Sequence, residues 1–69
     1  MITSYFTFGQ IHTHSCNGIT LDKDCVVKIT AADPRARMFE LFGRQWGFEY
    51  QDMPAERLKY FPRGIIAIE

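Results

Sequence analysis

The sequence predicts an α+β fold: a small antiparallel β-sheet, made of a β-hairpin and two further strands, with one amphipathic helix packed on one face. Three observations predict it. Alternating apolar residues flank an Asn17-Gly18 pair, an Asp33-Pro34 step opens a stretch with apolar residues at helical spacing, and two short strand-like segments lie at Phe48-Glu49-Tyr50 and Ile65 to Ile68. A sheet with one apolar face must bury it, and a helix laid across that face is a standard cover.

Residues Tyr5 to Ala31 read as the hairpin. Asn and Gly tolerate the positive φ angles of a two-residue type I′ turn, so Asn17-Gly18 sets the register. Phe6 then faces Ile29, Phe8 faces Val27, His14 faces Leu21 and Cys16 faces Ile19. Because side chains alternate between faces, one face collects Phe6, Phe8, His12, His14, Cys16, Ile19, Leu21, Cys25, Val27 and Ile29. Gln10 and Lys23 fall on that apolar face too, which predicts a bulge or a frayed region near Gly9 and Asp22 to Asp24.

Asp33 is placed to cap the helix and Pro34 to occupy its first turn. Met38, Leu41, Phe42 and Trp46 follow at helical spacing, while Arg35, Arg37, Glu40 and Arg44 fall mostly on the other side. The helix ends either at Gly43 in a left-handed cap or at Gly47. Pro54 to Lys59 reads as a short helical turn, and Phe61-Pro62-Arg63-Gly64 as the turn feeding the last strand. No repeat, linker or low-complexity tract interrupts the chain, so residues 1–69 form one domain.

A chain of 69 residues buries only about 60% of the surface its unfolded form exposes. A core of this size supplies about 3–5 kcal/mol unless a disulfide, a metal or a partner adds to it. With 46% apolar residues, including six Phe, three Tyr and one Trp, the aromatic content exceeds what one small chain readily covers, and a homodimer is expected. Eight Lys and Arg balance eight Asp and Glu. That balance, without a basic run, disfavours extended nucleic-acid binding. The first residues lack a charged segment, a long apolar stretch and a cleavage signature, so a cytoplasmic protein with no membrane contact is expected. Free thiols are the expectation for Cys16 and Cys25 in that reducing compartment.

His12-Thr13-His14 is the sharpest candidate for chemistry. Two histidines at i and i+2 on a strand point the same way and can share a metal, with zinc the expected ion. Cys16 would lie about 13 Å from His12 along the strand, so a third ligand would have to come from Asp22, Asp24, Cys25 or another chain. The competing reading makes His14 a neighbour of the core and His12 an edge residue. Cysteine catalysis would need a neighbouring base and an orienting partner, and the sequence shows no such set. Asp22-Lys23-Asp24 lacks the further oxygens of a calcium loop and reads as a solvated turn. Arg35, Arg37, Arg44 and Arg63 are possible anion grippers; Trp46, Tyr50, Tyr60 and Phe61 are possible stacking platforms. Tyr60, Phe61 and Arg63, with Arg44, make the expected partner-binding set, because Arg and aromatic side chains anchor interfaces and a turn exposing both does more than reverse the chain.

Taken together, Phe6-Thr7-Phe8-Gly9-Gln10, His12 and His14, Asn17-Gly18, Asp22-Lys23-Asp24-Cys25-Val26, Met38-Phe39-Glu40-Leu41-Phe42-Gly43, Trp46 with Phe48, and Tyr60-Phe61-Pro62-Arg63-Gly64-Ile65 resemble small proteins encoded by bacteriophages and prophages. The resemblance covers almost the whole chain and transfers no catalytic residue. It implies an accessory product made inside a bacterium, of the anti-CRISPR-like kind that binds and inhibits a host protein, including components of antiviral defence systems. The function expected is therefore a non-catalytic inhibitor of a host protein, with no cofactor. The alternatives are a small metal-binding domain using His12 and His14, or a sponge for a small nucleotide gripped by Arg63 or Arg44 and stacked on Tyr or Trp.

Overall fold

In the computed structural model, residues 1–16 and 18–68 are described, with only the backbone of Cys16. Strands β1 (Ile2–Thr7) and β4 (Cys25–Ala31) pair antiparallel at the centre of a four-stranded sheet. Between them, β2 (His14–Cys16) and β3 (Ile19–Leu21) form a separate two-stranded ribbon. The ribbon keeps the expected register, His14 opposite Leu21 and Cys16 opposite Ile19. Gly18 has φ 80°, the left-handed conformation its turn position requires; Asn17 lies outside the described residues.

The hairpin is not continuous. Phe6 faces Val27, not Ile29, and Ser4 takes the place opposite Ile29. The expected register is thus shifted by two residues beyond the ribbon, because the segment from Phe8 to Thr13 bulges out more chain than Asp22 to Asp24 does on the other side. The displacement falls where Gln10 and Lys23 broke the apolar pattern. An even shift leaves every side chain on its face, so Phe6, Phe8, Leu21, Cys25, Val27 and Ile29 are all buried together as the pattern requires.

The helix α1 (Pro34–Phe42) begins as the sequence dictates. The Asp33 carboxylate accepts a hydrogen bond from the Ala36 amide at 3.1 Å, satisfying one of the orphan N–H groups of the first turn. It ends at Gly43, φ 62°, whose amide donates to the Phe39 carbonyl at 2.9 Å. Pro34, Met38 and Phe42 form the buried stripe. Met38 and Phe42 close the core over the sheet, with Leu41, Trp46, Ile66 and Ile68 packed against it.

β5 (Glu49–Tyr50) adds to the outer edge of β1, antiparallel. The short helix α2 (Ala55–Leu58) follows, and β6 (Gly64–Ala67) completes the order β5-β1-β4-β6. Here the expected all-antiparallel sheet needs correction, since β6 runs parallel to β4. Its strand direction follows from the return path: β5 already points the same way as β4, and the α2 segment carries the chain across the sheet to the opposite edge, as parallel connections do. Arg57 of α2 lies 4.5 Å from the Tyr50 ring centroid, so this crossover lines the side of the sheet away from α1. Among the described residues no helix is long and apolar enough to cross a membrane.

Candidate functional site

The segment after α1 is held down at three points. His14 Nε2 donates to the Gln45 carbonyl at 2.6 Å, and the imidazole packs against Phe42 and Phe8 at centroid distances of 4.8 and 5.4 Å. The Gly47 amide donates to the Thr7 carbonyl at 2.7 Å, and the Thr7 amide donates to the Phe48 carbonyl at 3.0 Å. The Thr7 hydroxyl accepts from the Phe48 amide at 3.3 Å. These bonds fasten residues 45–48 to the end of β1, where the ribbon departs, and to the first residue of β2. Position 47 is tight: a Cβ there would come within 3.1 Å of the Thr7 carbonyl oxygen and 3.3 Å of the Gly9 nitrogen, so the facing backbone would have to give by a few tenths of an ångström.

The fastened segment and α1 enclose an open groove of about 770 Å³, lined by Arg35, Phe39, Arg44, Trp46, Gly47, Phe48 and Glu49. Trp46 joins it to the core: the indole meets Phe6 edge-on at 5.2 Å and Phe39 at 5.4 Å, and its Nε1–H donates to the Gly43 carbonyl at 3.1 Å. The Arg35 guanidinium carbon sits 5.3 Å from the Trp46 ring and 5.6 Å from the Phe39 ring, within cation–π range, and reaches the Glu49 carboxylate at 3.5 Å. Phe39 remains 42% exposed and Phe48 70% exposed. Arg44 is exposed and has no hydrogen bond or ion pair among the described residues.

The expected partner-binding residues do not all gather in one place. Arg44 lines this groove, whereas Tyr60, Phe61 and Arg63 belong to the turn before β6. Tyr60 is exposed and Phe61 half-buried. Arg63 serves the fold: its amide donates to the Asp24 carbonyl at 2.9 Å and its guanidinium to the Asp22 carboxylate at 3.2 Å, pinning β6 to the β3–β4 turn. Asp22 also accepts from the Asp24 amide at 3.0 Å. That amide holds the Asp22 carboxyl below the usual aspartate value, outweighing the opposing effect of desolvation, and Arg63 adds a lesser lowering.

His12 lies outside β2, in a turn where its amide donates to the Gly9 carbonyl at 3.1 Å. The i, i+2 strand geometry that would aim both imidazoles at one ion is therefore not formed. His14 spends Nε2 on Gln45, and among the described residues no three His, Cys, Asp or Glu side chains cluster as metal ligands would. The Cys16 side chain lies outside the described residues. Cys25 carries a free, fully buried thiol in the core. Burial pushes its pKa up and so opposes thiolate formation, outweighing the Asp22 amide, which donates to the sulfur at 3.4 Å and acts the other way.

Phe39, Phe48, Gly47 and Glu49 were not legible as site residues in the sequence. Phe39 carried a signal, an aromatic one position off the Met38–Phe42 stripe and so turned from the core. Phe48 read as a strand residue, and nothing local marked Glu49 as the partner of Arg35. Comparison with protein-family models, with curated protein sequences and with solved structures gave no match.

Proposed function

We propose that this chain is a non-catalytic binding protein that captures a host protein in the groove between α1 and residues 44–49. The single observation that carries the reading is the exposure of Phe39 and Phe48 beside Trp46 and two arginines. Aromatic and Arg side chains contribute most of the energy at interface centres, and here they are presented by backbone pinned at His14 and Thr7. The buried, backbone-facing thiol of Cys25 and the occupied Nε2 of His14 support a non-catalytic reading. The resemblance to phage and prophage proteins supports a host factor as the partner, with antiviral defence components the class to examine first.

The test is co-purification from a bacterial host with immobilised wild-type protein and two variants. Phe48→Ala combined with Arg44→Ala should lose a captured protein that Tyr60→Ala retains. The reverse result would transfer binding to the turn at residues 60–63. Native mass spectrometry of untagged protein reports subunit number, testing the expected homodimer, and a bound zinc or nucleotide in the same spectrum would favour one of the alternative functions.

A further inference from the structure

The charges around the groove do not cancel, and the surplus specifies its occupant. Arg35 and Arg44 bring two positive charges and Glu49 one negative charge. Glu49, with its side chain 21% exposed, is engaged by Arg35, and Arg35 is further accommodated by the Phe39 and Trp46 rings. The remaining positive charge belongs to Arg44, which has no partner among the described residues. An occupant complementary to this surface presents one carboxylate to Arg44 and one apolar or aromatic side chain to the rings.

We infer that the groove takes a protein segment in which a large apolar or aromatic side chain is flanked by Asp or Glu. This deepens the protein-binding reading and rests on it. Two features favour a carboxylate-bearing peptide over a nucleotide. A phosphate monoester carries about −1.5 to −2 charges near neutral pH, more than the single unmatched cation offsets, and it would approach Glu49 in the same groove. The groove is also open along its length, whereas pockets for small ligands enclose about 70–90% of the ligand surface. A side chain anchored on a peptide backbone needs only the floor and one wall.

Trp46 is the only tryptophan of the chain, so its emission reports the groove directly. The experiment titrates the intact protein with three capped pentapeptides that share a central phenylalanine and differ in its two neighbours: aspartate, asparagine or lysine. Saturable changes in emission are expected, tightest for the aspartate peptide. Its advantage over the asparagine peptide should be about two- to fivefold at low salt, the range of exposed ion pairs, and should shrink near 1 M salt, where the screening length is about 3 Å. Arg44→Gln should abolish the difference between these two peptides while leaving the circular dichroism spectrum unchanged.

Equal affinity for the aspartate and lysine peptides, or tighter saturation by adenosine monophosphate than by any peptide, would overturn the acidic-segment proposal while leaving the groove as the binding site. If no peptide alters Trp46 emission, the proposal fails. Continued capture of the host protein by the Phe48 and Arg44 double variant would show, separately, that the groove itself is the wrong surface.

Discussion

Ser4 lies on the same side of β1 as Phe6 and is 1% exposed, yet its Oγ has no hydrogen-bond partner among the described residues. A buried hydroxyl without a partner costs about 1–3 kcal/mol, and removing it leaves only a small void. Ser4→Ala should therefore leave stability unchanged or raise it by about 1 kcal/mol, read as the urea midpoint. Asp22 makes the opposite kind of contribution, through its charge. Its carboxyl is held below the ordinary aspartate value of 3.8, chiefly by the Asp24 amide with Arg63 adding to it. A depressed folded-state pKa contributes stability above the unfolded value, lost as pH falls from near 3.8 through the lower folded value. The stability lost between pH 5 and pH 3 should accordingly be smaller in Asp22→Asn than in the wild type, measured by denaturation at both values. Asp22-Lys23-Asp24 was legible as a turn, but its tie to Arg63 was not, because a contact between residues so distant in sequence depends on β6 lying beside β4. The same limit explains His14: alternation placed it correctly beside the apolar face, while its bond to Gln45 depends on where α1 ends.

At the scale of elements, local signals were strong wherever a single residue type satisfies a backbone requirement. Asp33-Pro34 fixed the start of α1, and the cap bond there is the one those residues make, whereas the sequence left its end open between Gly43 and Gly47, and the structure ends it at Gly43. The register of β1 with β4 was not so fixed. Turn chemistry at Gly18 governs the ribbon, but the unequal bulges at residues 8–13 and 22–24 leave only the face, not the exact partner, readable from alternation. The parallel placement of β6 was hidden for a related reason, since a four-residue apolar strand reads alike in either direction. The segment that builds the groove depends on such a non-local fit, in which Gly47 lies against Thr7. Gly47→Ala should force that contact apart and cost about 1–3 kcal/mol, as overpacking does, with a shift in Trp46 emission. His14→Ala should shift Trp46 emission as well, because the same loop loses its bond at Gln45. Unchanged emission in both variants would mean that these anchors do not position the indole.

The molecule as a whole separates the residues that hold it together from those offered to a partner, although Trp46 touches both sets. Phe6, Met38 and, in β4, Cys25, Val26, Val27 and Ile29 are fully buried, while Phe48 is 70% exposed. Met38→Ala removes a fully buried side chain from under α1 and should cost about 2–5 kcal/mol. A domain of this size has about 3–5 kcal/mol in hand, so much of the population should be unfolded at room temperature, with α1 lost from the far-ultraviolet circular dichroism. Phe48→Ala uncovers no core atom and should move stability by no more than about 0.5 kcal/mol, the usual range for surface positions. The two substitutions thus give distinct signatures: loss of binding with loss of fold at Met38, and loss of binding with the fold intact at Phe48. Should Phe48→Ala unfold the protein as Met38→Ala does, the exposed rings of the groove would belong to the structural core, and the separation between scaffold and binding surface would not exist.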